Sequence, residues 1–497
     1  MSKEQIYDKL VEICRSKNIS DDTQILQSYS KDLSLLSEKS PKYVVWPKNS
    51  IQVKKILDLA NSLRFFVIPI SSKPGYRHHG DTIPRTENCV ILDLSKLTKI
   101  LNIDKNNRVV MVEPGVTFGK LIPHLHKKGL KLMVPLHPRA SKSVLTAALE
   151  RVPITIPRYM WDSSDPLLCT EVIFGNGEFF RTGTAAGPGS IKEQRRTGQA
   201  QVNPMGPTQF SPFRVIQGAQ GSIGIVTWAT LKLELLPTQQ KVYHLQTDSL
   251  QDLLDVQHEL LKYRLCDELL LLNNLNLACL VEQEPSEILL LAKELKKWNL
   301  IFVLSGRGEL ALDRISYLQG DIEDILKEKK LLSPENITKI DEDTIIQFLT
   351  QPTIQPWKLR LTGGYQDIFF ITNFERIPEL VAFVKQQYSQ YLGIYIQAIN
   401  QGTSYHCEFD LYYDPNNDNE RSNITEKFQM ISTDLMKKGA FFNRPYGIWA
   451  KEVFERHQSS TQIALRKIKN IFDPNGVLNP GVLCFDDNKT QSHQEGV

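Results

Sequence analysis

The run from Tyr43 to Leu94 constrains the fold most, because extended and helical signals alternate there over short distances. YVVWP reads as a short strand stopped by Pro47, and IQVKKILDLANSL as a helix with Ile51, Ile56, Leu57 and Leu59 on one face. FFVIPIS is then a buried strand and CVILDLS another, with a glycine-bearing loop between them. Strand, helix and strand in that order make an α/β unit. The pattern recurs between Arg108 and Gly183: VVMVEPG is strand and turn, TFGKLIPHLHKKG a helix ending at Gly129, and CTEVIFGNGEFFRTG a hairpin around Asn176 and Gly177.

Beyond this region the organisation changes. Thr184 to Phe213 is rich in Gly, Pro, Gln and Arg with little periodicity, and a loop of that length is expected to be functional or mobile. GAQGSIGIVTWATLKLELLP follows as a glycine-rich turn feeding a long strand that stops at Pro237. From Gln239 to about Ala440, strands at KVYHLQT, NLIFVLSG, QDIFFIT and GIYIQAI alternate with helices at LQDLLDVQHELLKY, PSEILLLAKELKKW and RIPELVAFVKQQYSQYL, an α+β pattern. Asp313 to Asp343 reads as a helix and a surface excursion, and STQIALRKIKNIFDP as a last helix closed by Pro474.

The 497 residues exceed one ordinary core, so two large lobes are the simplest arrangement. Lys and Arg exceed Asp and Glu by only 59 − 56 = 3, without a basic block, which gives no ground for nucleic-acid binding. Seven scattered cysteines without a CxxC pair argue against a disulfide framework, an iron–sulfur cluster or a zinc ribbon. The N-terminus, with Ile6, Leu10, Val11 and Ile13 near helical spacing, reads as an amphipathic helix and not a secretion signal. No apolar run approaches the roughly 20 residues of a transmembrane helix, so a cytoplasmic protein is expected.

Four segments together resemble the PCMH-type FAD-binding domain shared by vanillyl-alcohol oxidase, glycolate oxidase and the FAD-linked D-lactate dehydrogenases. They are Tyr43 to Ile100, VVMVEPGVTFGKL, GAQGSIGIVTWATLKLELLP and the C-terminal IKNIFDPNGVLNPG. The resemblance implies an α+β protein: a two-lobed FAD-binding domain of two α/β subdomains, followed by an α+β substrate (cap) domain with an antiparallel sheet. The implied boundaries are 1–40 for an N-terminal helical segment, 41–237 for the FAD-binding domain, 238–464 for the cap, 465–485 for the return to the FAD domain and 486–497 for a loose tail.

The resemblance also implies where FAD lies. Its pyrophosphate sits against a loop whose consecutive N–H groups form an anion site, a geometry that glycine permits. Ser72, Lys73, Gly75, Tyr76, Arg77, His79, Gly80 and Asp81 occupy that loop, and Lys73 and Pro74 stand where the family usually has further glycines. Lys73, Arg77, His78 and His79 offer side-chain donors instead. Gly218, Gly221, Ser222, Gly224, Ile225 and Val226 fall on the family's segment along the flavin, and Asn479 on its C-terminal signature. HPRASKSVLTAALERVPITIPR departs from the family, which commonly has paired glycines near Ser143 to Leu145. His78, His79 and His406 match no covalent attachment motif, so FAD is expected to be bound non-covalently.

Oxidation of an alcohol at a flavin needs a base for the hydroxyl proton and a group that fixes the substrate. GTSYHCEF offers Tyr405, His406 and Glu408, with His406 and Glu408 on one face of a strand. The family's D-lactate and glycolate members usually carry two histidines near here that can bind a metal; this sequence has one, and no metal is expected. FFNRPYGIW offers Arg444 for a carboxylate and Tyr446 for a hydroxyl, and Arg360 is a further, more structural candidate. The implied function is oxidation of a small 2-hydroxy acid of the D-lactate or glycolate type. Alternatives are a vanillyl-alcohol-type oxidase of phenolic or other alcohols, or a flavin subunit serving an iron–sulfur or electron-transferring flavoprotein partner.

Overall fold

The computed structural model describes residues 3–159, 166–187, 189–197, 212–331 and 340–485. Parts of the expected functional loop and of the Asp313 to Asp343 excursion, and the whole C-terminal tail, lie outside them. Sixteen strands among the described residues form three sheets.

The first sheet joins β1 (Ile19–Ser20), β2 (Tyr43–Val45), β3 (Phe66–Ile70) and β4 (Cys89–Asp93) in the order β1-β2-β4-β3. β4 runs parallel to both β2 and β3, as crossover connections require. The connecting helix Ser50–Leu63 is capped by the Asn49 side chain and turns Val53, Ile56, Leu57 and Ala60 inward. Ile51, expected on that face, is instead 61% exposed. It lies roughly 200° around the helix from Val53, so an apolar residue at the helix start was misassigned to the buried stripe.

The second sheet comprises β5 (Ile100–Asp104), β6 (Val109–Val112), β7 (Leu130–Leu132), β8 (Leu167–Phe174), β9 (Phe179–Arg181) and β10 (Gly224–Leu235). Its path is β5-β6-β10-β8-β9, antiparallel throughout, with β7 paired to the far end of β10. β10 is the long strand expected before Pro237.

The third sheet, with order β11-β13-β12-β15-β16-β14, is also antiparallel. It contains β11 (Gln239–Thr247), β12 (Glu268–Asn273), β13 (Trp298–Gly306), β14 (Gly364–Thr372), β15 (Leu392–Ile399) and β16 (Ser404–Tyr413). The helix expected to continue through Leu392 ends at Gln387, because Leu392 already opens β15. One face of this sheet packs on helices through Phe370, Phe409, Leu411 and their neighbours. The other face packs in part on the helices Asn274–Val281 and Glu342–Thr350 through Leu270, Leu272 and Tyr412, and carries the polar groups described next.

Candidate active site

Two glycine-bearing turns face each other at the edge of the first sheet. In the loop after β3, Gly75, Tyr76, His79 and Gly80 all have left-handed backbones, with φ of 86°, 55°, 78° and 71°. The N–H groups of Gly75, Tyr76, Arg77 and His78 find no acceptor among the described residues. Left-handed residues in succession turn such amides to one side and form an anion site. Opposite, Gly218 and Gly221 each have φ of 69°, and a Cβ on Gly221 would fall 2.5 Å from Pro69 Cγ. The two loops can approach this closely only if position 221 has no side chain.

Asn479 fastens the loops together: its Nδ2 donates to Asp81 O at 3.0 Å and to Gln220 O at 2.7 Å, and its backbone N–H donates to Val67 O at 3.0 Å. The helix Ser459–Phe472 contributes Lys469, which is paired with Asp473 and donates to the carbonyls of Ser222 and Leu478. Asp473 in turn accepts from the N–H groups of Val477 and Leu478, both at 2.9 Å. The C-terminal return thus holds the cradle shut from behind.

Between the loops and the third sheet lies a cavity of about 310 Å³, lined by both loops, by the 145–152 segment and by Trp357, Lys358, Tyr365 and Tyr446 of the C-terminal half. The strand period places Tyr365, Asp367 and Phe369 of β14 on one face with His406, Glu408 and Asp410 of β16, since Asp367 faces Asp410 and Phe369 faces Glu408 across the ladder. Lys358 bridges Glu408 and, at 2.8 Å, Asp410. Burial alone would lower the Lys358 ammonium, but Asp410 and Glu408 hold it well above its ordinary value. Burial raises the Glu408 carboxyl, and Lys358 and His406 outweigh this to bring it down to about 2. Asp410 goes the other way, pushed up to about 7 by burial that Lys358 only partly offsets. His406, 3.1 Å from Glu408, is driven below its ordinary range by burial and is a neutral imidazole.

His406 and Glu408 therefore share a face, as the strand period implies. Tyr405 does not join them. It points to the opposite face, into the helix-packed core near Phe374, so the period of two that unites its neighbours removes it from the cavity. Arg444 is buried, and its guanidinium lies 4.1 Å from the centre of the Phe369 ring. Tyr446 lines the cavity and stacks on His79, with burial pushing its hydroxyl well above the ordinary value. Arg360 donates to the carbonyls of Cys279, Leu280 and Glu282 and so serves as the C-terminal cap of the helix Asn274–Val281.

In the cradle, Ser72 Oγ accepts from Ser143 N at 3.1 Å and ties the loop to the following helix, whereas Lys73 is exposed. Arg77 lies over the Tyr29 ring and donates to Ser28 O at 2.5 Å, so its guanidinium braces the loop from the protein side. Ser222 bonds Ala219 O inside its own turn, Gly224 packs against Val172, and Ile225 and Val226 line the cavity. Asp81 is pushed up to about 7, by burial first and then by Glu150.

Among the groups in or beside the cavity that are not singled out by the sequence are Glu150, Lys358 and Tyr365, which line it, and Asp367 next to them. Glu150 is paired with Lys142 at 2.7 Å, and burial raises its carboxyl less than Lys142 lowers it. The alternation in GYQDIFFIT carries a signal for Tyr365 and Asp367, since both fall on the face of the strand opposite Ile368 and Phe370. Lys358 carries none, because a lone lysine in a short turn is ordinarily solvated.

Residues 41–183 match the family model described as FAD binding domain. The chain is 25% identical over 249 residues to the glycolate oxidase subunit GlcD of Bacillus subtilis, a match covering 48% of this chain and only 47% of that one. It is 22% identical to the mitochondrial D-lactate dehydrogenase [cytochrome] of Kluyveromyces lactis, covering 92% of this chain and 76% of that one. The fold is that of a p-cresol methylhydroxylase solved with substrate bound, with a TM-score of 0.80 at 19% identity over 97% of both chains. The chain is thus a flavoprotein by its FAD-binding domain, which the glycine cradle and cavity fit. More particularly, the chain is similar, at 25% identity or less, to proteins named glycolate oxidase, D-lactate dehydrogenase and p-cresol methylhydroxylase. No helix among the described residues is long and apolar enough to cross a membrane.

Proposed function

We propose that this protein oxidises a small 2-hydroxy acid, with the substrate held against the cap-side wall of the cavity. Arg444 carries this reading. It is only 5% exposed, forms no ion pair among the described residues, and its Nε has no hydrogen-bond partner there. Glu150, whose charge it senses, is engaged by Lys142. Leaving a guanidinium buried without a counter-ion costs several kcal/mol. A substrate carboxylate supplies that counter-ion through a bidentate contact.

FAD, when bound, supplies the hydride acceptor. His406 takes the hydroxyl proton: with its Nε2–H directed at Glu408, Nδ1 keeps the lone pair that a general base needs. Glu408, held ionised by Lys358, stabilises the imidazolium as it forms. Tyr446 orients the substrate hydroxyl. The names of the glycolate oxidase and D-lactate dehydrogenase relatives support a hydroxy acid of this size.

Replacing Arg444 with Met tests the reading. The expected result is a loss of kcat/KM for 2-hydroxy acids on the order of 10²-fold or more, with flavin content retained. Wild-type kcat/KM in that variant would remove Arg444 from the account. A second reading, oxidation of a phenolic alcohol, is favoured by Tyr76, Tyr365 and Tyr446, which all line the cavity. Anaerobic flavin reduction by each substrate class separates the two.

A further inference from the structure

His78 and His79 project from the left-handed turn of the cradle toward β14. Each ring has a face covered: His78 stacks on Tyr365 with centroids 4.7 Å apart and planes 15° from parallel, and His79 stacks on Tyr446 at 4.7 Å and 9°. Stacking on one face leaves the ring edges as the route to other groups, and both edges meet the same carboxylate. His79 Nε2 lies 3.2 Å from Asp367 Oδ2, and His78 Nδ1 lies 3.7 Å from Asp367 Oδ1. The His78 tautomer is fixed, since Nδ1 accepts the backbone N–H of His79 at 3.0 Å and Nε2 faces the carbonyl of Tyr365 at 3.3 Å. The edge near Asp367 thus carries a lone pair and no proton, and a metal ion would take that lone pair over from the His79 N–H.

Asp367 is 4% exposed, yet its Oδ1 has no hydrogen-bond partner among the described residues. A buried carboxylate oxygen left without a donor is unusual. The charges around the three residues are mostly acidic. Asp32 accepts from the Gly80 N–H, Asp81 follows in the loop, and the one nearby ammonium, Lys358, is already matched by Glu408 and Asp410.

The geometry points to a divalent transition-metal site formed by His78, His79 and Asp367, which joins the FAD-binding loop to the cap sheet. The three ligand atoms all lie within 4.8 Å of one another. Bonds of about 2.1 Å in a tetrahedral shell around an ion such as Zn²⁺ place its ligand atoms about 3.4 Å apart, near the 3.2 and 3.7 Å contacts of the imidazoles with Asp367, so binding draws in the wider separations by about 1 Å. Two imidazoles and one carboxylate select Zn²⁺ or a neighbouring transition metal over Mg²⁺ or Ca²⁺, which prefer all-oxygen shells. Three protein ligands leave a position open, and both histidines line the cavity. The site lies on residues other than the His406 segment, and it does not depend on the identity of the substrate.

The test uses the full chain, stripped with a chelator and dialysed against Co²⁺ or Zn²⁺, with metal content and the visible d–d bands of Co²⁺ as readouts. One ion per chain is expected, with imidazole-ligated Co²⁺ bands. Asp367→Asn and His79→Gln are each expected to weaken binding more than the roughly tenfold caused by losing an outer-shell partner. His124→Gln, on the surface of another helix, is expected to bind as the wild type does. Circular dichroism and flavin content identify variants that fail to fold, and the wild-type Co²⁺ spectrum decides the matter if they do. A folded wild-type protein that retains no Co²⁺, or variants that retain it as well as the wild type, would overturn the site.

Discussion

His79 and Tyr446 stack face to face, with ring centroids 4.7 Å apart and planes 9° from parallel, although one belongs to the loop after β3 and the other to the segment that follows the last strand of the third sheet. The pair forms part of the wall between the 310 Å³ cavity and a second, apolar one of about 90 Å³ lined by Leu35, Leu36, Phe428 and Trp449. Tyr446→Phe keeps the stack and removes the hydroxyl, so kcat is expected to fall while thermal stability stays near that of the wild type. Tyr446→Ala opens the wall and is expected to cost about 3–5 kcal/mol, read by denaturant unfolding.

Lys131 and Glu268 join the second sheet to the third. The first is on β7, the second opens β12, and their side chains are 4% and 1% exposed. Removing one partner leaves the other buried and uncompensated, at a cost of about 3–5 kcal/mol. Lys131→Met and Glu268→Leu are each expected to destabilise by that order, and the double variant to recover most of the loss. Additive losses in the double-mutant cycle would show that the pair is not coupled.

Glu408 gives the acid limb of the stability curve. Its carboxyl lies at about 2 in the folded chain against an ordinary 4.5, so the folded state holds fewer protons across that interval. A depressed carboxyl contributes stability in full above the unfolded value and loses it as pH falls from 4.5 toward 2. Glu408→Gln is expected to be less stable at neutral pH and to show a shallower decline below pH 4.5 than the wild type. Parallel melting curves against pH would show that Glu408 is not the group responsible.

Much of the framework was legible because local pattern and tertiary role agree. The strands at Tyr43, Phe66 and Cys89 carry short apolar runs, the strand at Gly224 is long and rich in β-branched and apolar residues, and the glycine turns carry the conformational demand of the cradle. The polar cluster beside the cavity was legible only in part. His406 and Glu408 follow from alternation, but the same alternation sends Tyr405 into the helix-packed core, which a list of neighbouring polar residues does not reveal. Asp367 comes beside Glu408 and Asp410 through the antiparallel register of β14 and β16, and beside His78 and His79 only because the loop after β3 packs on β14, long-range relations with no local sequence signal. Arg77 reads as a phosphate donor from its position, yet Tyr29 and Ser28, distant in sequence, supply its partners.

Asp81 makes cofactor affinity depend on pH. Its carboxyl lies at about 7, raised by burial and by Glu150, and it borders the cavity beside the glycine turns. Below pH 7 it is neutral; above, it adds a negative charge beside an anionic ligand. FAD affinity, followed by flavin fluorescence quenching, is expected to fall as pH rises through 7, and Asp81→Asn to remove that dependence. An unchanged pH profile in the variant would assign the titration to another group.

The visible spectrum of the purified protein, recorded anaerobically before and after addition of D-lactate or another small 2-hydroxy acid, tests the central claim most directly. The account predicts an oxidised flavin spectrum, lost from solution on gel filtration only together with the protein and released by acid, that bleaches when the acid is added. A protein that takes up no FAD, or whose flavin stays oxidised with every 2-hydroxy acid, would contradict it.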